Sequence, residues 1–385
     1  MIIPLDELIR ALQAPYLGRP SAACAGSLLR WRWSVPVAAV LLFAVQAEAQ
    51  DVIPRAIHES ETVSNIEVRN EVTLGSLDDP FDLSALFVQV HRTEDGSWIV
   101  LSRSHERHSL ARFGRDGGFR GTVGRRGEGP GEFRFLRAFT GIGGDSLLMV
   151  DLGGEYSVLD PDGHWVRGGR LGVEPLQVAM LPDGRFVAAA NAASPELAGQ
   201  PLHLVAQGEV DGGSPIVRSF GHPDGALDPA ATDLDRQRIP VVLGATEPRV
   251  LSISRVDYRI EEWTLEGHLL RAWELRNAWF PMGSAESGEV ASIRGAAMSP
   301  DGLLQVVFVV MDPSDEPVPE DPIQRFHDGA SSVVEFIDLE AETLVARKRF
   351  PGWAPGFTSD GALVLSEQDE VGMVRLGILE LGIRH

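Results

Sequence analysis

Cysteine is almost absent from this 385-residue chain, Cys24 being the only one. It precedes the apolar run at residues 35–45, so everything beyond that run is free of thiols. Disulfides, thiolate nucleophiles and cysteine metal sites are thereby excluded from the main body, which neither needs an oxidising compartment nor suffers in one. Lysine is nearly as scarce. Lys348 is the single example, and arginine supplies the rest of the 34 basic residues. The 55 acidic residues outnumber them, giving a formal charge of −21 and a pI near 4.9. So acidic a surface repels phosphate backbones, which argues against a nucleic-acid partner. The sequence also lacks a nucleophile elbow, a P-loop, a dinucleotide fingerprint and a zinc-protease helix.

Long hydrophobic runs are missing apart from residues 35–45, which fall short of the roughly 20 residues a membrane-spanning helix requires. Arg30 and Arg32 precede that run and Ala47-Glu48-Ala49 follows it. A positive flank, a short apolar stretch and an A-x-A site describe a secretory signal peptide. Residues 1–49 are therefore expected to be a leader, and residues 50–385 an exported body, periplasmic or extracellular, with no integral membrane span. An uncleaved anchor is the alternative. Cys24 lacks the preceding apolar run of a lipoprotein anchor.

What is present in quantity is turn chemistry, with 41 glycines and 25 prolines. After the stretch Gly124–Phe133 come a short apolar run, Gly144-Asp145, a second run ending at Asp151, a third at residues 156–159, and the turn Asp160-Pro-Asp-Gly163. This strand-and-turn unit, about 45 residues long, recurs along the chain, as it does in propellers and solenoids. Asp-Gly between apolar runs marks tight hairpins, because both residues tolerate positive φ. Such units are expected at residues 85–123, 134–171, 174–220, 241–275, 294–350 and 354–385. The last is one strand short, whereas residues 66–74 carry apolar side chains at 66, 68, 72 and 74 with no partner of their own. Placing 66–74 beside the last unit leaves no unpaired edge. The expected fold is all-β, a six-bladed β-propeller whose N-terminal strand closes the last blade.

In this wiring the Asp-Gly hairpins share one face. The longer connections, residues 191–200, 222–240, 277–293 and 311–332, leave from the other, the expected functional face. Arg125, Arg126, Glu128 and Glu132 flank the glycines of a crossover there. The arginines suit bidentate capture of a carboxylate or sulfate, against the plainer reading of solvated charges on a glycine turn. Arg103, His105 and His108 lie in and beside the first loop of that face. An H-x-x-H spacing on a loop does not fix two metal ligands on one side, and no metal is expected there. The acidic, proline-rich stretch 311–322 lacks the spacing of a calcium loop and reads as an extended flap. Trp263, Trp273, Trp279 and Trp353 read as packing between blades rather than as a sugar-binding channel.

The order Gly127, Gly129, Gly131, Phe133, Asp145, Asp151 and Asp160–Gly163 resembles the NHL-type six-bladed propellers, and most of all their bacterial exported branch. The likeness is closest over residues 85–171. One departure is Gly154-Glu155-Tyr156, where the family often has Asn-x-Arg, so an activity resting on that arginine does not carry over. The resemblance implies an exported, non-catalytic propeller that binds a protein, peptide or glycan through its long-loop face, without a cofactor. The alternative it implies is a hydrolase or lyase of the lactonase or amidoglycolate-lyase kind. Its divalent cation would sit at the channel mouth, with His105, Asp151, Glu174 and Asn191 as candidate ligands. A purely structural envelope module is a third reading.

Overall fold

The computed structural model describes residues 52–76, 79–81, 83, 87–103, 108–191, 200–206, 216–221, 238–255, 258–275, 292–311, 330–368 and 374–384. The expected leader, His105, Trp279 and residues 312–322 lie outside them. Every element among the described residues is a strand. The first, β1 (Arg55–Leu74), is the longest. It precedes a meander of β2 (Phe87–Arg92), β3 (Trp98–Arg103), β4 (His108–Phe113) and β5 (Phe119–Val123). The glycine-rich crossover holds a short parallel ladder, β6 (Arg125–Arg126) against β7 (Glu132–Phe133). The second meander is β8 (Leu136–Gly141), β9 (Leu147–Asp151), β10 (Glu155–Leu159) and β11 (Trp165–Arg170). The third is β12 (Glu174–Met180), β13 (Phe186–Asn191), β14 (Leu202–Val205) and β15 (Ile216–Phe220). Then follow β16 (Arg238–Leu243), β17 (Arg249–Ser254), β18 (Arg259–Thr264) and β19 (Leu269–Leu275). After these come β20 (Ser292–Met298), β21 (Leu304–Met311), β22 (Ala330–Asp338) and β23 (Thr343–Pro351). The chain ends on β24 (Trp353–Phe357), β25 (Leu363–Gln368) and β26 (Val374–Arg384).

Within each meander successive strands pair antiparallel, and tight turns set the register. At Thr93–Ser97 the Asp95 carboxylate accepts the Thr93 hydroxyl at 2.6 Å and the Ser97 amide at 2.8 Å, while Gly96 takes φ 80°. The Thr93 hydroxyl and then the Ser97 amide hold the Asp95 carboxyl down at about 2. The first strands of the meanders touch in chain order, β2, β8, β12, β16, β20 and β24, and β24 in turn touches β2. They surround a cavity of about 810 Å3. Meanders radiating from a shared channel make this an all-β propeller.

The core is divided among the seams. Ile99 and Leu110 of the first meander pack with Leu147 and Met149 of the second, and Ile253 and Trp273 pack with Phe308 and Leu344 farther on. Leu74, Val364 and Leu376 meet Val90, Val100 and Phe113 across the seam between chain end and chain start. Burying each such side chain contributes about 1.5–3 kcal/mol, so no seam is dispensable. Trp263, Trp273 and Trp353 are all buried in these clusters.

Residues 66–74 lie where the pattern places them. Asn65–Leu74 pairs antiparallel with Leu376–Arg384. The strand is longer than the expected 66–74, however. Its first residues run parallel to β19, Arg55 opposite Trp273, and the next to β23, His58 opposite Thr343. β1 thus straps two outer edges before joining a third sheet. Its first half is polar and shows almost no apolar alternation, because only Ile57 is buried there. Backbone pairing and ion pairs hold it instead: Arg55–Glu342 at 2.7 Å and Glu59–Arg347 at 2.8 Å. Arg347 also meets the buried Glu335 at 2.6 Å, whose carboxylate accepts the Tyr258 hydroxyl at 2.6 Å.

Three other boundaries differ from expectation. β16 begins at Arg238 rather than 241, β20 at Ser292 rather than 294, and β22 at Ala330, so the connections ending at 240, 293 and 332 give their last residues to strands. Backbone ladders extend past the apolar core, where side-chain pattern no longer reports them.

Candidate functional site

Each first strand starts at one end of the channel and runs to its tight turn at the other. Each second strand returns antiparallel, so its last residue lies beside the start of the first. Phe87 faces Arg103, Leu136 faces Asp151, Glu174 faces Asn191 and Arg238 faces Ser254. This crossover end gathers residues far apart in sequence. Five arginines reach it by position: Arg103, Arg137, Arg238, Arg255 and Arg294.

Three of these interact electrostatically. Arg255 donates through Nε to the Ile293 carbonyl at 3.0 Å, and the Ile293 amide donates to the Arg255 carbonyl at 3.0 Å, which sets Arg255 beside Arg294. The Arg294 guanidinium lies 4.6 Å from the centre of the Trp353 ring. Burial pulls Arg294 down to about 9, and the positive charge of Arg255 adds to the effect. Burial pulls Arg255 to about 10, with Arg137 adding. Arg137 is lowered by burial and partly restored by Glu174. All three stay cationic at neutral pH. The Nε atoms of Arg137 and Arg294 are buried without a hydrogen-bond partner. A desolvated cation with unmet donors is costly, and an anion is what would relieve it.

The opposite, tight-turn end is fully laced. His91 Nδ1 lies 2.6 Å from Ser359 Oγ, and Arg92 reaches Asp360 at 3.3 Å and Glu380 at 3.1 Å. Glu94 accepts the Gly144 amide at 2.9 Å while its own amide donates to Asp145 at 2.5 Å. These contacts tie the first meander to the last and to the second.

The crossover residues singled out from sequence form their own cluster. Arg125 pairs with Glu132 at 2.6 Å, Glu132 accepts the Gly129 amide at 2.8 Å, and Glu128 pairs with Arg134 at 2.7 Å. The Gly129 amide, then Arg125, hold the Glu132 carboxyl below its usual range. Arg126 is exposed and lies 5.8 Å from the Phe135 ring centre. A cleft of about 410 Å3 opens beside them, lined by Gly127, Pro130, Asp151, Glu155 and the exposed Trp165. Arg103 and His108 are backbone partners at the ends of β3 and β4.

Of the residues proposed for a metal, Asp151 uses Oδ1 to accept the Glu155 amide at 2.9 Å, and Glu174 is exposed within the field of Arg137. Asp160, Asp162 and His164 place ligand atoms within 4.8 Å of one another. Asp160 Oδ1, however, already accepts the amides of Asp162 and His164, at 3.0 and 2.8 Å, to form the turn.

Sequence reasoning reached Arg103 but missed Arg137, Arg255 and Arg294. The available signal was their common position, one or two residues inside a first strand or one past a second.

The fold is similar to that of an exported protein from Bacteroides fragilis, with a TM-score of 0.56 and 11% identity over 85% of this chain and 98% of that one. It is also similar to a member of the DUF4221 family from Bacteroides vulgatus, with a TM-score of 0.55 and 9% identity over 84% and 100%. No family model and no curated protein matches the sequence. At these identities the likeness concerns fold alone. No helix among the described residues is long and apolar enough to cross a membrane.

Proposed function

We propose that this chain is an exported, six-bladed, NHL-like β-propeller that binds a partner through its crossover face and carries out no chemistry of its own. The carrying observation is the group of buried arginines, Arg137, Arg255 and Arg294, at the channel end of that face, the Nε of Arg137 and of Arg294 lacking a hydrogen-bond partner. Cations are placed there at a cost, in a protein of net charge −21, while the other end is closed by its own ion pairs. The long connections after β13, β19 and β21 start from this same end. The count of meanders, with Asn65–Leu74 taken as the outer strand of the last, supports six blades. Export is supported by the signal-like segment at residues 30–49. Arg125, Arg126, Glu128, Arg103, His105 and His108 belong to the binding surface, and the partner is a protein, peptide or glycan. The metal-dependent alternative is disfavoured because Arg137 repels a divalent cation beside Glu174.

The test is capture from the native envelope fraction by the purified protein, compared with a variant lacking residues 312–322 and carrying Arg125→Ala and Arg126→Ala. The partner retained by the parent is expected to be lost by the variant at an unchanged melting temperature. Retention of that partner at parental affinity would overturn the assignment of the face.

A further inference from the structure

Trp165 stands apart from the other described tryptophans. Trp98, Trp263, Trp273 and Trp353 are at most 4% exposed, whereas Trp165 is 46% exposed. On open surface a single exposed indole would be ordinary, but this one lines the cleft of about 410 Å3 beside the glycine-rich crossover. Its orientation is fixed as well. A Cβ on Gly131 would lie 2.9 Å from the Trp165 Cβ, and one on Gly168 would lie 3.2 Å from Nε1. The indole therefore lies along β11, with the crossover against its base.

The strand register puts polar groups on the same side of the sheet. Trp165 is opposite Leu159, Gly168 opposite Ser157 and Arg170 opposite Glu155, so these residues share one face. Met149 is opposite Ser157 and carries that face on to Asp151. Asp151 engages Oδ1 with the Glu155 amide, at 2.9 Å. The side chains of Glu155, Ser157 and Arg170 make no hydrogen bond or ion pair among the described residues. On the crossover wall, by contrast, Glu128 and Arg134 satisfy one another at 2.7 Å. The open groups are thus of both kinds, carboxylate acceptors and a guanidinium donor, with a hydroxyl between them. A cation would leave Arg170 without an acceptor, and an anion would leave the carboxylates without a donor. A neutral polyol serves both, because each of its hydroxyls donates and accepts. The volume falls within the range of about 300–1,000 Å3 usual for small-ligand sites.

We infer that this cleft binds a neutral sugar unit of a glycan, its ring stacked on Trp165 and its hydroxyls shared among Arg170, Glu155 and Asp151. A pyranose offers an apolar C–H face to the indole and a rim of hydroxyls to the polar groups around it. This names the glycan among the partner classes proposed above, and rests on the crossover side being the binding side. All the described lining residues lie between Gly127 and Arg170, so the long connections are not needed to build the site.

The experiment titrates the purified protein with maltotriose, cellotriose and tri-N-acetylchitotriose, and with choline chloride as the cationic rival. NMR follows the Trp165 indole N–H signal, assigned by its absence from a Trp165→Phe variant. At least one trisaccharide is expected to shift that signal to saturation. Trp165→Ala is expected to weaken binding tenfold or more, Trp165→Phe to recover part of the loss, and Arg170→Gln to weaken it severalfold. Val166→Ala removes the neighbouring exposed apolar side chain and is expected to stay within twofold of the parent. The cleft assignment is overturned if no trisaccharide moves the signal, if choline alone moves it, or if Val166→Ala costs as much as Trp165→Ala. Trp165-dependent saccharide binding, with the envelope partner retained after the loop deletion and the Arg125→Ala and Arg126→Ala changes, overturns the face assignment alone. Loss of that partner from the same variant, with no saccharide shift in the parent, overturns the cleft alone.

Discussion

The two ends of the channel are built from the same kinds of residue and treat charge in opposite ways. At the tight-turn end Arg92 sits between Asp360 and Glu380, and His91 meets Ser359. At the crossover end the buried Arg255 lies in the field of Arg137 and the buried Arg294 in that of Arg255, and among the described residues Glu174 is the carboxylate that acts on Arg137. The first arrangement returns about as much as it costs and joins neighbouring blades. The second raises the energy of the folded state, which is tolerable only where the rest of the ring over-determines the geometry. The contrast teaches that the turn end is scaffold, and it is the reason for proposing the crossover end as the site.

Both ends depend on the closing seam, and the largest effect is expected there. Gly117 has φ 79°, and a Cβ on it would lie 2.0 Å from the Thr73 carbonyl oxygen of β1. The seam repeats elsewhere, since a Cβ on Gly163 would meet Val123 and one on Gly267 would meet Phe220. At Gly163 the contact, 3.7 Å, is an ordinary van der Waals distance and at Gly267 it is a tight 3.1 Å, whereas at Gly117 it is an overlap with backbone. Gly117→Ala should cost about 3 kcal/mol or more in urea unfolding, and Gly163→Ala less. Equal costs at the two glycines would show that β1 does not act as the outer strand of the last blade.

The next effect separates burial from charge. His203 is fully buried in β14, with Nδ1 2.8 Å from Ser219 Oγ and Nε2 unsatisfied, and burial pulls it to about 4. Unlike the arginines, it escapes the penalty by staying neutral. The unfolded chain takes up a proton near pH 6.5 and the folded chain does not, so His203 contributes stability that is lost as pH falls from 6.5 towards 4. Unfolding free energy should drop by about 2 kcal/mol between pH 7.5 and 5, and a His203→Gln variant should flatten that slope. A parental slope in the variant would assign the acid sensitivity to another group.

The smallest effects carry the sign that the comparison turns on. Arg92→Ala removes two half-exposed ion pairs and should destabilise by about 0.5 kcal/mol. Arg294→Met removes a desolvated cation and should stabilise by about 1 kcal/mol at low ionic strength. If both changes moved stability in the same direction, the two ends would not differ in the way described.

Much of the fold was legible in the residue pattern because propeller strands are short, alternate in polarity and end at Asp-Gly turns. The turns at Asp95-Gly96 and Asp301-Gly302 are examples, both with the glycine at positive φ. The outer strand at residues 66–74 could be placed from its unpaired apolar residues. The first half of β1 could not, since an edge strand held by backbone bonds and by pairs such as Glu59–Arg347 leaves no periodic trace. Arg125 and Arg126 stood out because they are adjacent and flanked by glycines, and the folded crossover gives Arg125 a partner in Glu132.

Local pattern, then, was enough for most of the strands, for the turns and for the pairing of residues 66–74 with the last meander, because each depends on neighbours a few residues away or on a count of edges. The convergence of Arg137, Arg255 and Arg294 depends on how far the ring rotates between blades and which side chains it buries together. Separately, each is one more arginine in a chain that has almost no lysine. Their shared field exists only once closure brings distant strand ends to a single mouth and strips them of water.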